Sequence, residues 1–99
     1  MIFIDTGAFL ARYLSRDQYH KAALPVWEKI RVARERCVTS NFVLDETFTL
    51  LARRASHAFA AEKARIIYST GLLEILRPDS LTELDALNWF EKYSDQGIS

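Results

Sequence analysis

Apolar residues along the chain fall into short continuous runs and longer stretches with helical spacing. The short runs occupy residues 1–4, 37–39 and 72–76, and each is bounded by polar or turn residues. Runs of this length predict strands, and the uninterrupted first run is typical of a strand buried on both faces. Glu74 interrupts the third run, which predicts an edge strand or a partly exposed face.

The stretches between and after these runs repeat apolar residues every three or four positions and predict five helices. They occupy residues 6–14, 18–34, 42–55, 57–70 and 81–93. We expect Asp17 to cap the second helix and Ser40 or Asn41 to cap the third. Gly71 is the predicted C-cap of the fourth. Pro25 predicts a kink or a break in the second helix, because an interior proline removes a hydrogen bond and costs about 3 kcal/mol.

The resulting order β-α-α-β-α-α-β-α predicts an α/β domain with a parallel sheet and helical crossovers. Three strands leave unpaired edges and uncovered faces, and residues 95–99 resemble a loop that leads into further structure. The expectation is therefore a single partial domain over residues 1–99, incomplete at its C-terminus.

Composition narrows the class of protein further. A chain of 99 residues with 49% hydrophobic content is expected to form one globular domain. Its 13 basic and 13 acidic residues balance, so nucleic-acid binding would need a local patch. The single Cys37 cannot form an internal disulfide, no leader precedes the first strand, and no apolar stretch reaches the roughly 20 residues of a membrane span. These features predict a cytoplasmic protein.

Asp5 follows the first predicted strand directly. In parallel sheets, ligands and reacting groups collect at the carboxyl ends of the strands, so this position favours a functional acid. An equally ordinary explanation is an N-cap, because Asp commonly precedes a helix. Asp5 alone leaves these two interpretations evenly balanced.

Glu46 is the second unusual acid. On a helix its neighbours three and four residues away are largely apolar, namely Phe42, Val43, Thr49 and Leu50. This pattern predicts a core-facing carboxylate, which would need a cation because an unpaired buried charge is costly. The alternatives are a salt bridge to a base such as Arg12, or a side chain that reaches solvent. Asp45 is predicted to be solvated.

Two such acids would suit a hard divalent cation. Mg²⁺ takes oxygen ligands at about 2.0 to 2.1 Å and is usually held by one or two carboxylates and several waters. Such an ion could activate a water and hold a phosphate oxygen.

Other chemistries fit less well. A phosphatase of the haloacid-dehalogenase type needs a second Asp two residues after the first, where this chain has Gly7, and a response-regulator receiver needs an acidic pair near the first strand. His20, His57 and Cys37 lack the spacing of a zinc site, and the three glycines are too scattered for a phosphate loop.

Three segments, taken together, resemble a known family. They read IFIDTGAF at residues 2–9, SNFVLDET at 40–47 and KYSDQGIS at 92–99, and their order resembles that of PIN domains of the VapC toxin type. The resemblance implies a Rossmann-like α/β/α sandwich and a Mg²⁺- or Mn²⁺-dependent ribonuclease that uses clustered acids. It also implies that Asp5 and Glu46 are the catalytic, metal-binding acids and that Thr6 is the adjacent hydroxyl that helps to arrange the site.

One departure from the family pattern qualifies this prediction. A third acid is expected shortly after the loop of residues 95–99, and Asp95 is not that acid, although it could reach the metal or its waters. The predicted function is a metal-dependent endoribonuclease toxin whose partners are RNA and a cognate antitoxin. The alternative is an inactive PIN remnant that binds RNA or protein, or self-associates through sheet edges. Basic residues could contact RNA phosphates or simply form a solvated surface: Arg31, Arg34, Arg36, Arg53, Arg54 and Lys63.

Overall fold

The computed structural model describes residues 1–78, 87, 91 and 92. Within them the elements are β1 (Ile2–Phe3), α1 (Thr6–Tyr13), α2 (His20–Ala33), β2 (Cys37–Ser40), α3 (Asn41–Arg54), α4 (His57–Ser69) and β3 (Leu73–Leu76). The three predicted strands and the first four predicted helices are confirmed, with ends shifted by one or two residues. The fifth predicted helix lies outside the described residues apart from Leu87, Glu91 and Lys92, which are helical. No helix in the described part is long and apolar enough to cross a membrane.

The described sheet has three parallel strands in the order β1-β2-β3. Two helices connect each strand to the next, and both connections run toward the same edge of the sheet. Right-handed connections of this kind place both helix pairs on the same face of the sheet. The central strand β2 is buried along its whole length. Glu74 lies on β3, at one edge of this sheet, where its exposed carboxylate pairs with Arg36. The predicted parallel α/β class is therefore confirmed.

The main core lies between the sheet and these helices. Its buried members are Ile4, Ala8, Phe9, Cys37, Leu44 and Ile67, and a smaller cluster of Leu10, Leu51 and Ala60 joins α1, α3 and α4. Helix α2 buries no residue completely. It is attached through Trp27, whose ring lies 5.9 Å from that of Phe9 and whose Nε1 donates a hydrogen bond of 3.3 Å to the Ala8 carbonyl. Helices α1, α3 and α4 thus contribute buried residues to the core, whereas α2 packs on it through partly buried ones.

Three local predictions about helix ends and breaks are wrong. The break predicted at Pro25 does not occur, and α2 continues through it, because the carbonyl that loses its partner belongs to Lys21, in an exposed first turn that water can solvate. Asp17 does not cap α2, since its carboxylate accepts from the backbone N–H of Tyr19, which is itself the N-cap residue. Gly71 is not a left-handed C-cap, because α4 ends at Thr70 in extended backbone.

Cys37 provides a test of this packing. Its thiol is buried, and burial, with a smaller effect of the Glu35 carboxylate, raises the pKa of the thiol. Because the thiolate is the reactive form, we expect Ellman's reagent at pH 8 to modify native Cys37 at least about tenfold more slowly than the denaturant-unfolded chain. The free energy of unfolding should also fall as the pH rises above the ordinary thiol pKa, since ionisation then favours the unfolded chain. Equal modification rates in the two states would contradict a buried thiol.

Candidate metal centre

Asp5 occupies the junction between β1 and α1 and caps the helix. Its backbone is extended, and its Oδ1 accepts a 3.0 Å hydrogen bond from the backbone N–H of Ala8. The capping interpretation of the sequence is therefore confirmed. A carboxylate has two oxygens and about four acceptor positions, so a capping bond leaves capacity for another ligand. Capping and metal binding are compatible at this residue.

The electrostatic environment of Asp5 disfavours its charged form. Burial raises the pKa of the Asp5 carboxyl, the hydrogen bond from Ala8 opposes that rise, and the Glu46 carboxylate adds a smaller increase through repulsion. The fold has thus brought Asp5 and Glu46, which lie on different elements, close enough to interact. A carboxylate whose charged form is disfavoured by burial and by a neighbouring acid is one that a bound cation would stabilise.

The predicted orientation of Glu46 toward the core is wrong. The buried residues of α3 are Leu44, Thr47 and Leu51, whereas Glu46 is exposed. A salt bridge from Glu46 to Arg12 is also absent, because the Arg12 guanidinium lies over the Trp27 ring, 4.5 Å from its centroid. Exposure to solvent, one of the alternatives left open, is what the structure shows, and Asp45 is exposed as predicted.

Threonine hydroxyls connect the strand ends to α3. Thr39 Oγ1 donates a 2.8 Å hydrogen bond to the Ile4 carbonyl, and Thr6 Oγ1 donates one of 3.4 Å to the Val43 carbonyl. Thr47 Oγ1 donates to the same Val43 carbonyl at 2.7 Å. The Thr39 bond joins the ends of the two strands, the Thr6 bond joins the start of α1 to the first turn of α3, and the Thr47 bond lies within α3.

Asn41 is a further candidate site residue. The sequence predicted it only as one of two possible caps of the third helix. The cap is Ser40, whose Oγ accepts a 3.2 Å hydrogen bond from the backbone N–H of Val43. Asn41 Oδ1 is buried and has no hydrogen-bond partner among the described residues. Leaving a buried acceptor unpaired costs about 1 to 3 kcal/mol, so this oxygen is available to a water or a cation. The signal in the sequence was its position directly after β2, which pairs with the strand that precedes Asp5.

The side-chain oxygens of Asp5, Glu46 and Asn41 suit a hard divalent cation. Two carboxylates and an amide oxygen are the ligand types that Mg²⁺ and Mn²⁺ prefer, and no imidazole or thiolate is among them. The described residues contain no group of three or more His, Cys, Asp or Glu side chains that could hold a metal. Asp95, which was predicted to reach the metal, lies outside the described residues. Water would therefore complete the coordination shell around the protein ligands described here.

The fold is an α/β domain that places Asp5 at the carboxyl edge of a parallel sheet and Glu46 on the helix that follows the neighbouring strand. The PIN domain family model matches residues 2–99. The chain belongs to the PIN domain family, and the resemblance carried by its three segments is confirmed.

Two related proteins and one solved structure extend this assignment. The chain is 35% identical, over 103 aligned residues, to the 23S rRNA-specific endonuclease VapC20 from two strains of Mycobacterium tuberculosis, and the alignment covers all of this chain and 72% of the relative. The crystal structure of M. tuberculosis VapC20, described as a Sarcin-Ricin loop cleaving toxin, matches with a TM-score of 0.69 and 27% identity. That match covers all of this chain and 73% of the other.

Substitutions of Asp5 separate its capping role from its charge. Asn retains the cap, whereas Ala loses it, so Asp5→Ala should be less stable than Asp5→Asn by about 0.5 to 2 kcal/mol. In metal-free protein at neutral pH, Asp5→Asn should be at least as stable as the parent, because it removes a carboxylate whose pKa is raised. Denaturant unfolding in EDTA measures both differences.

The same comparison has a defined pH dependence. The pKa of the Asp5 carboxyl is raised in the folded protein. The free energy of unfolding of the parent, relative to that of Asp5→Asn, should therefore increase as the pH falls through this pKa and decrease as the pH rises. A parent that is more stable than Asp5→Asn at neutral pH without metal would contradict the described electrostatics.

Proposed function

We propose that the protein is a metal-dependent endoribonuclease of the PIN toxin type that hydrolyses RNA phosphodiesters. The observation that carries the proposal is a pair of acids, Asp5 and Glu46, whose carboxylates interact electrostatically, in a chain that belongs to the PIN family. The relative that is 35% identical acts, by its name, on 23S rRNA. RNA is therefore the substrate class that we assign to this site.

In this proposal Asp5 and Glu46 hold Mg²⁺ or Mn²⁺. When bound, the ion would supply positive charge to a phosphate oxygen and lower the pKa of a water. Asp5 is held in place by its bond to Ala8, and the bond from Thr6 to α3 limits movement of Glu46 relative to Asp5. The orphaned Oδ1 of Asn41 is suited to accept a hydrogen bond from a water at the same edge.

Both candidate ligands are acids, which has a consequence for substrate binding. Two carboxylates repel a phosphodiester, so the site would bind RNA weakly until a cation offsets their charge. Metal dependence is thus expected at the level of substrate binding as well as of hydrolysis.

Partners and location follow from the same assignment. A cognate antitoxin is proposed as a partner because the solved relative is described as a toxin. We propose the cytoplasm as the compartment, since 23S rRNA is the named substrate of the other relatives. Self-association is supported by apolar side chains that α2 leaves exposed, namely Leu24, Val26 and Val32.

The test is cleavage of 23S rRNA, and of an oligonucleotide containing its sarcin–ricin loop, by the parent and by two isosteric variants. Asp5→Asn and Glu46→Gln should each lower metal-dependent cleavage by more than about 100-fold, because loss of mere outer-shell partners of metal ligands already costs about 10- to 100-fold. Asp45→Asn is the matched control, since it removes an adjacent exposed acid and should retain activity.

Thermal unfolding with and without Mg²⁺ supplies a second measurement. Mg²⁺ should raise the Tm of the parent and of Asp45→Asn but not that of Asp5→Asn, because a ligand stabilises only a state that binds it. Full cleavage by Asp5→Asn would remove that residue from the proposed role. Stabilisation of the parent by Mg²⁺ without any cleavage would favour the alternative of an inactive PIN module.

A further inference from the structure

One side of α3 presents a line of exposed residues that includes a candidate metal ligand. Its members are Phe42, Glu46, Thr49 and Arg53, which we call the α3 stripe. They are spaced by four, three and four positions, so they lie along one side of the helix. The buried residues Leu44, Thr47 and Leu51 face away from this stripe.

Phe42 is the member whose exposure most needs an explanation. Its side chain is 60% exposed, although it sits in the first turn of a helix that packs against the core. Phe9 and Phe48 are paired with other rings, whereas Phe42 makes no ring or cation–π contact within the described residues. An exposed aromatic face one helical turn from Glu46 is available to a ligand at the candidate site.

The surroundings of Phe42 distinguish between kinds of ligand. Asp45, Glu46 and Thr49 are exposed and polar, so the ring is not part of a continuous apolar patch on α3. A protein interface usually has an apolar core depleted of charge. Surfaces that bind single-stranded nucleic acid combine aromatic rings, on which bases stack, with cations that contact phosphates, and the α3 stripe carries one of each.

We propose that the α3 stripe binds a single RNA strand, with an unpaired base stacked on Phe42 and a backbone phosphate held by Arg53. The inference rests on the proposed function and adds to it the residues of α3 that would hold the RNA strand beside the candidate metal centre. Along the helix axis, four residues separate Phe42 from Glu46 by about 6 Å, and seven separate Glu46 from Arg53 by about 10.5 Å. The stacked base would therefore adjoin the phosphate at the candidate metal centre, and Arg53 would contact the strand beyond it.

The test measures binding apart from cleavage. A single-stranded oligoribonucleotide carrying 2-aminopurine is titrated with the protein at low salt in Ca²⁺, a hard cation that would offset the charge of the two acids. Stacking on an aromatic ring quenches the fluorescence of the 2-aminopurine. Phe42→Leu retains apolar bulk but has no aromatic face, so it should lose the quenching and weaken binding by about 5- to 150-fold. Phe42→Trp should retain both the quenching and the affinity. The parent, Phe42→Leu and Phe42→Trp should all bind duplex RNA of the same sequence equally.

Two further variants complete the design. Tyr19→Leu is the matched control, because Tyr19 is an aromatic that is 63% exposed on a different element, before α2, and its loss should leave binding unchanged. Arg53→Gln should weaken binding and reduce the slope of log affinity against log salt by about one, as expected for loss of one phosphate contact.

Unchanged single-strand affinity and quenching in Phe42→Leu would overturn the inference. A change in sedimentation of Phe42→Leu with unchanged RNA affinity would also overturn it and would assign the ring to a contact between protein chains. Failure of the proposed function has a different signature: RNA binding that depends on Phe42, with no metal-dependent cleavage by the parent. Cleavage by the parent together with unchanged binding by Phe42→Leu would refute this inference alone.

Discussion

The parallel pairing of β1 with β2 is the constraint on which the candidate site depends. It places the residues that follow the two strands, Asp5 and Asn41, at the same edge of the sheet. The buried bond from Thr39 Oγ1 to the Ile4 carbonyl ties the two strand ends together at that edge. Since Ser40 both ends β2 and caps α3, the helix that carries Glu46 begins immediately there. A shift in this pairing would separate the two acids, whatever the rest of the core did.

Asp5 combines a structural and a chemical role that oppose each other energetically. As an N-cap it satisfies an otherwise unpaired N–H at the start of α1 and so favours the fold. As a half-buried carboxylate beside Glu46 it carries a charge that burial disfavours, which the raised pKa records. A residue selected for capping alone would be served by Asn or Ser, which carry no charge. A bound cation would offset the charge that the Asp5 carboxylate carries here.

Sequence patterns predicted most of the fold and part of the site. Strands and helices followed from the lengths and periods of the apolar runs, and Asp5 followed from the rule that parallel strands present function at their carboxyl ends. The errors came from tertiary context. Glu46 was expected to face the core because Phe42, Val43 and Leu50 look like a core face, yet α3 packs through Leu44 and Leu51. Asn41 could not be recognised as an orphaned acceptor, because satisfaction of a side chain depends on which donors the fold brings near it.

The error about α3 is itself informative. Period alone offers two apolar sides for this helix, one through Leu44, Thr47 and Leu51 and one through Phe42 and Leu50, and a helix on a sheet buries only one side. The buried side carries Leu44 and Leu51, whose branched side chains fill the core. The hydroxyl of Thr47, on the same side, donates a hydrogen bond to a carbonyl of its own helix, so no polar group there is left unpaired. The other side therefore retains an aromatic that packing does not require. Phe42 lies one helical turn before an acid of the candidate metal centre, so its exposed ring is in a position to contact a ligand at that centre.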